Sequence, residues 1–360
     1  MRQLILHIGR SKTGTTTWQR TMSSNREALA RQGILVPAFL SSENHAELAV
    51  AFSAQPGRLA RAFAVDGPQD QQALRKQLDR RFRQHITEGV WLFSSEHLST
   101  RLRTSQEIDS LCEFLTPHFD RIDVIAYVRR PDDLAPSAFA ETVKAGRTHP
   151  FNAKYVQQSR SFFDHGRFAD MWSRPHDSSI SLNLRPYLRD GLIEDILRTI
   201  GEVSKIDLLA NANLIIPTPT ANESLSALAL RYLQEINPLF PDGGLTNRSR
   251  RALISALAQH QGPRLQLSPA VAEALVAEGF DYGGLPEKPD DPRWRAWFEA
   301  PCALVGQWPK LDDPTRTELE EMCRRAGVDP AGSDPGASGS GLTGSAQRTA
   351  RRAAVRLTRW

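Results

Sequence analysis

Short unbroken apolar runs recur along the first half of the chain, each followed by a turn signal and then by residues at helical spacing. Gln3–Ile8 is the first run and stops at Gly9. A continuous apolar stretch of this length predicts a strand buried on both faces. Gly9–Gly14 predicts a turn, and helical spacing then runs from Thr15 to about Arg31, with Gly33 as the stop. Ile34–Val36, ended by Pro37, predicts a second strand, Val90–Ser94 a third, Ile122–Val128 a fourth and Ser179–Asn183 a fifth. Residues 38–88 predict two or three helices with a break near Gln55–Gly57, and Ser105–Leu115 predicts another. Pro131 suits a first helical position and opens a helix that Gly146 closes. After about residue 220 the spacing is mainly helical, and no internal repeat is present.

Strands alternating with amphipathic helices predict an α/β protein: a three-layer α/β/α arrangement with a central parallel sheet. The expected division is an α/β domain over 1–300, a helical extension over 301–330, and a tail over 331–360. That tail begins with a Gly/Ser-rich linker, AGSDPGASGSGLTGSA, which cannot bury a core. It ends in a basic segment, Arg348–Trp360, read as a solvated tail in preference to one resting on an anionic membrane surface. In parallel sheets ligands bind beyond the carboxyl ends of the strands, so the residues just after strands 1, 3 and 4 are the ones to inspect.

Composition narrows the picture without deciding it. Of 360 residues, 40% are apolar, enough for a sizeable core. The net charge of +4 suits anionic small molecules and is too small to argue for nucleic acid. Three scattered cysteines give neither a zinc pattern nor a disulfide framework, which fits a reducing compartment. The first apolar run is too short for a signal peptide, and no run reaches the ~18 residues of a membrane span. A soluble cytoplasmic protein is expected.

The turn after the first strand carries the sharpest chemistry: His7-Ile8-Gly9-Arg10-Ser11-Lys12-Thr13-Gly14-Thr15-Thr16-Thr17. It joins a strand to a helix, whose exposed N–H groups and partial positive charge attract phosphate. Gly14 permits close backbone approach, three threonines add hydroxyls, and Lys12 adds a full charge. The glycines have the spacing of a nucleoside-triphosphate loop, but Thr15 stands where that loop needs lysine. An ordinary Thr-rich helix cap with a solvated lysine is the bland alternative.

SKTGTT resembles the 5′-phosphosulfate-binding loop of sulfotransferases that use 3′-phosphoadenosine 5′-phosphosulfate (PAPS), and HIGRSKTGTT resembles their bacterial branch. The resemblance implies a P-loop-like fold, PAPS as cosubstrate, and no metal. It implies that Lys12 stabilises the leaving phosphate while Gly14, Thr15 and Thr16 hold the 5′-phosphate, within a cosubstrate-binding stretch that includes Thr13 and Thr17. Cytosolic family members place a stacking tryptophan five residues after the lysine. Here that position is Thr17, and Trp18 lies about 100° further round a helix, which predicts a core residue. His7 is expected to be a satisfied strand histidine.

The fourth strand ends Tyr127-Val128-Arg129-Arg130-Pro131, and Ser137 follows Arg129 by eight positions. By resemblance, Arg129 and Ser137 hold the 3′-phosphate; Arg130 misses the spacing because position 138 is alanine. Pro136 is expected to kink the intervening helix. A sulfuryl acceptor must lose a proton, and Ser94-Ser95-Glu96-His97 follows the third strand. Glu96 is the first candidate base, with His97 adjacent; His45, in Ser41-Ser42-Glu43-Asn44-His45, is the second. A capping role for Glu96 and a solvated His45 are the competing readings. FADMW at 168–172, LNLRPY at 182–187 and NESLS at 222–226 extend the resemblance over roughly residues 1–240. No Arg-Lys-Gly loop closes on the nucleotide near the C-terminus, and Arg185 or Arg189 is a candidate for that charge. The acceptor (glycan, lipid or small molecule) is open. A P-loop kinase and a non-catalytic nucleotide-binding protein are the rival classes.

Overall fold

A computed structural model describes residues 1–40, 43–173, 179–209, 214–216, 224–240, 245–278, 285, 291–299, 306 and 308–331. The strands are β1 (Arg2–His7), β2 (Ile34–Leu35), β3 (Gly89–Ser94), β4 (Arg121–Val128) and β5 (Ile180–Pro186). The α-helices of the amino-terminal part are α1 (Thr15–Ser24), α2 (Arg26–Arg31), α3 (Ala46–Phe52), α4 (Pro68–His85), α5 (Glu96–Arg101) and α6 (Ser105–Leu115). Then come α7 (Pro131–Lys144), α8 (Ala153–Gln158), α9 (Arg160–Phe163), α10 (His165–Ser173) and α11 (Leu192–Ser204). The last are α12 (Ala227–Ile236), α13 (Asn247–Leu257), α14 (Pro269–Ala277), α15 (Pro292–Glu299) and α16 (Asp313–Arg325).

The chain divides into two compact units. One comprises Met1–Arg130, Ser161–Thr218 and Phe280–Pro301; the other Pro131–Arg160, Pro219–Gly279 and Cys302–Trp360. In the second unit α7, α8, α12, α13, α14 and α16 come together. There the Phe139 ring meets Phe151, Tyr155 and Trp308 at centroid distances of 4.6, 5.3 and 5.6 Å. Asn237 ties the end of α7 to this group, donating from Nδ2 to the carbonyls of Val143 and Arg147.

The first unit holds the sheet, ordered β2-β3-β1-β4-β5 with every neighbouring pair parallel. Alternation along its strands feeds two cores. Leu4, Leu6, Phe93, Val124 and Ala126 join residues of α3, α4, α6 and α10. Ile5, Leu92, Ile125 and Tyr127 join Trp18 and Met22 of α1, Leu29 of α2, and Ile196 and Ile200 of α11. One core on each face of the sheet is the three-layer α/β/α arrangement. The β1-to-β2 connection runs opposite to the later ones, so right-handed crossover puts α1 and α2 on the face opposite α3, α4 and α6. The connections leaving β1 and β4 therefore run to opposite faces, the arrangement at which parallel sheets form a ligand crevice beyond the strands' carboxyl ends.

Two expectations need amendment. The helix expected over Thr15–Arg31 breaks at Asn25, whose side chain clasps Ile215: Nδ2 donates to the Ile215 carbonyl and Oδ1 accepts its N–H, both at 2.7 Å. The fifth strand runs on to Pro186, three residues past the expected end, with Arg185 opposite Tyr127 and Pro186 opposite Val128 in the ladder to β4. Pro136 lies inside α7, between Pro131 and Lys144. The basic tail and residues 222–223 fall outside the described residues. No helix among the described residues is long and apolar enough to cross a membrane.

Candidate functional site

The loop from Ile8 to Gly14 leaves β1 at the crevice, and its shape is set by backbone contacts. The Ile8 N–H donates to the Ile125 carbonyl of β4 at 2.9 Å. Thr13 Oγ1 donates to the Arg10 carbonyl at 2.6 Å, and Ser99 Oγ of α5 donates to the Gly9 carbonyl at 2.8 Å. A Cβ on Gly9 would fall 2.0 Å from Thr15 Cγ2, so the turn closes on itself only without a side chain. Lys12 and Gly14 both take left-handed backbone, at φ 66 and φ 74. Lysine pays for that conformation, and such strain concentrates at functional loops. Gly14 is also needed for space, since a Cβ there would meet Leu192 Cδ2 at 2.3 Å. It caps α1 without a side chain, so the cap residue itself offers no acceptor to the first-turn amides of Thr15–Thr17. Thr16 is exposed and Thr17 half-buried. Trp18 is fully buried in the core, as its phase on the helix predicts.

Ser94, at the carboxyl end of β3, is a hub of buried bonds. Its N–H donates to His45 Nδ1 at 2.9 Å, its Oγ lies 2.8 Å from His7 Nδ1, and Gln19 Nε2 donates to that Oγ at 3.4 Å. His7 is thus satisfied at one ring nitrogen only; Nε2 has no partner, and burial pushes the imidazole down to about 3. His45, for which a solvated position was the competing reading, is 1% exposed. Burial and then the Arg26 charge push it down to about 3. Glu96 begins α5, and its carboxylate accepts the Thr15 hydroxyl, joining the candidate base directly to the phosphate-loop candidate. His97 accepts from Asn44 Nδ2 at 3.3 Å, and burial lowers its pKa.

Arg129 leaves β4 buried to 7% exposure. Its Nη1 donates to the Lys12 carbonyl at 3.0 Å and its guanidinium lies 5.3 Å from the centre of the Tyr187 ring. Its own carbonyl accepts from His165 Nε2 at 2.7 Å, so that imidazole carries its proton on Nε2; burial, then Arg10, push it down to about 3. Arg10 was not singled out by the sequence, although it stands inside the loop motif. Its Nη2 donates to the carbonyls of Ser161 and Phe162 at 2.9 and 2.7 Å, and the guanidinium stacks 4.4 Å from the Phe168 ring centre. Burial pulls it down to about 10 while Asp164 opposes the shift. An arginine buried between loop and scaffold leaves no periodic signature, and only its position within the motif could have flagged it.

The structure therefore brings Lys12, Gly14, Thr15, Glu96 and Arg129 to one loop at the carboxyl end of the sheet, with His45 behind Ser94. Ser137 stands half-buried on α7, in the other compact unit. Arg185 is engaged by Glu202 and Thr199, with Asp291 at 3.9 Å, and Arg189 is exposed. Asp291 and Asp195 both pair with Arg293 of α15, and Trp297 Nε1 of the same helix donates to the Val128 carbonyl at 3.2 Å. In comparisons with protein-family models, curated proteins and solved structures, none matches the chain.

Proposed function

We propose that the protein is a PAPS-dependent sulfotransferase. The observation that carries the reading is the β1–α1 loop. A lysine in left-handed backbone, a glycine-capped helix start and an arginine gripping the lysine's carbonyl converge at the strand-end crevice. Such a loop offers backbone amides and a fixed charge to one phosphate bearing a leaving group. The acceptor's hydroxyl or amine attacks the sulfur, the bond from sulfur to the phosphate oxygen breaks, and adenosine 3′,5′-bisphosphate leaves. Lys12 stabilises the charge that builds on that oxygen. Arg129 is the candidate reader of the 3′-phosphate. The acceptor's proton goes to Glu96 or His45. Thr15 supports the first choice, because its hydroxyl bond fixes the Glu96 carboxylate beside the loop.

The test has two parts. Adenosine 3′,5′-bisphosphate should bind without magnesium and more tightly than ATP with magnesium, and label from 35S-PAPS should pass to a glycan, lipid or phenolic acceptor in a screen. Preference for ATP with magnesium would favour a kinase. Bisphosphate binding without transfer to any acceptor would favour a non-catalytic nucleotide-binding protein.

A further inference from the structure

The hydrogen bond between Ser94 and His45 fixes where the His45 proton lies. A backbone N–H can only donate, so Nδ1, at 2.9 Å, must present its lone pair and the neutral ring must carry its proton on Nε2. A ring held this way has no lone pair on Nε2 with which to take a proton from an acceptor. Protonating Nδ1 instead would break the Ser94 bond and leave an imidazolium at 1% exposure beneath the Phe93 ring, 5.4 Å between centres. The next amide is pinned too, since the Ser95 N–H donates to the His7 carbonyl at 2.8 Å. Two consecutive amides at the end of β3 are thus fixed, one by His45 and one by β1. The residue delivered by that fixed exit is Glu96, whose carboxylate accepts the Thr15 hydroxyl.

From this wiring we infer that His45 is a positioning residue: its Nδ1 holds the Ser94 N–H so that β3 delivers Glu96 to the loop, and Glu96 alone takes the proton. The assignment of the proton rests on the sulfuryl-transfer reading; the wiring of the histidine does not. Arg26 of α2 bears on the ring and acts against its protonation.

His45→Asn separates the roles. Its Oδ1 takes the place of Nδ1 as acceptor, it cannot titrate, and asparagine tolerates the left-handed backbone found here at φ 43, ψ 40. His45→Ala removes the acceptor. With the acceptor found in the screen, kcat, KM and the pH profile of kcat/KM would be measured for the wild type, both variants and Glu96→Gln. His45→Ala should lower kcat/KM by up to about 100-fold through misplacement of Glu96. His45→Asn should restore most of that loss and keep the acidic limb of the profile, whereas Glu96→Gln should lose both. A folded His45→Asn as inactive as His45→Ala overturns the inference. A second arm needs no turnover: long-range 1H–15N spectra should place the ring proton on Nε2 across about pH 5–8. Exchange protection of the Ser94 amide should fall in His45→Ala and recover in His45→Asn. A proton on Nδ1, or unchanged protection in His45→Ala, overturns the wiring whatever the activity. A wild type that neither binds nor turns over PAPS, with the spectra as expected, rejects the sulfotransferase reading and leaves the wiring standing.

Discussion

Acidification from pH 7 toward 5 is a perturbation whose size can be worked from three imidazoles. His7, His45 and His165 are each at most 1% exposed, and burial takes each from an ordinary 6.5 to about 3. In the folded chain they stay neutral down to that value; in the unfolded chain they bind protons below about 6.5. Stability from these groups is therefore complete above pH 7 and falls as the pH drops from 6.5 toward 3. At pH 5 the gap of 1.5 pH units below the unfolded value costs about 2 kcal/mol per histidine, or about 6 for the three. That is comparable with the 5–15 kcal/mol by which a typical domain is stable. The depressed carboxyls Asp79, Glu107, Asp120, Asp291 and Asp312 act lower, since their unfolded values lie near 4. Urea unfolding followed by circular dichroism at pH 7.5, 6 and 5 reads the slope. His165→Gln keeps a donor in place of Nε2 for the Arg129 carbonyl and removes one titration. It should recover about 2 kcal/mol at pH 5 relative to the wild type. A flat profile between pH 7 and 5, or a His165→Gln profile parallel to the wild type, refutes the reasoning.

Three further outcomes are expected. Lys12→Ala should reduce sulfuryl transfer by about 10²–10³ in labelled-PAPS assays, with an unchanged urea midpoint, because one preorganised charge contact is lost from the loop. Arg129→Ala should weaken adenosine 3′,5′-bisphosphate by about 1.5–3 kcal/mol more than a ligand lacking the 3′-phosphate, measured by calorimetry; equal losses would reduce Arg129 to an anchor of the Lys12 carbonyl. Asn25→Ala should lower stability by about 1–3 kcal/mol in urea unfolding, since two part-buried hydrogen bonds to the Ile215 backbone are lost at about 0.5–1.5 kcal/mol each.

What the sequence made legible followed from burial on two faces. β1, β3 and β4 are continuous apolar runs because both cores press on them, and their ends fall within a residue of the expected ones. The loop was legible because Lys12, Gly14 and the threonines are contiguous. The break at Asn25 was not, because its partner lies 190 residues away. Nor was the grouping of α7 with α8, α12, α13, α14 and α16, since helical periodicity shows that a face is buried without showing against what. The proton on His45 could not be read at all: it depends on a backbone amide across 49 residues of chain.

The sheet order has a consequence for synthesis. The strand made first sits in the middle, and its earliest partner, β3, lies 87 residues further along at the His7–Ser94 position. At about 5–20 residues per second the ribosome needs roughly 4–17 s to deliver it. For that interval an apolar segment with two open edges emerges unpaired, and the phosphate-loop candidate attached to it has no Arg129 to grip its lysine. The amino-terminal segment should therefore depend on chaperone cover more than its length suggests, and nascent chains stalled before β3 should be captured by the ribosome-associated machinery more strongly than those stalled after β4.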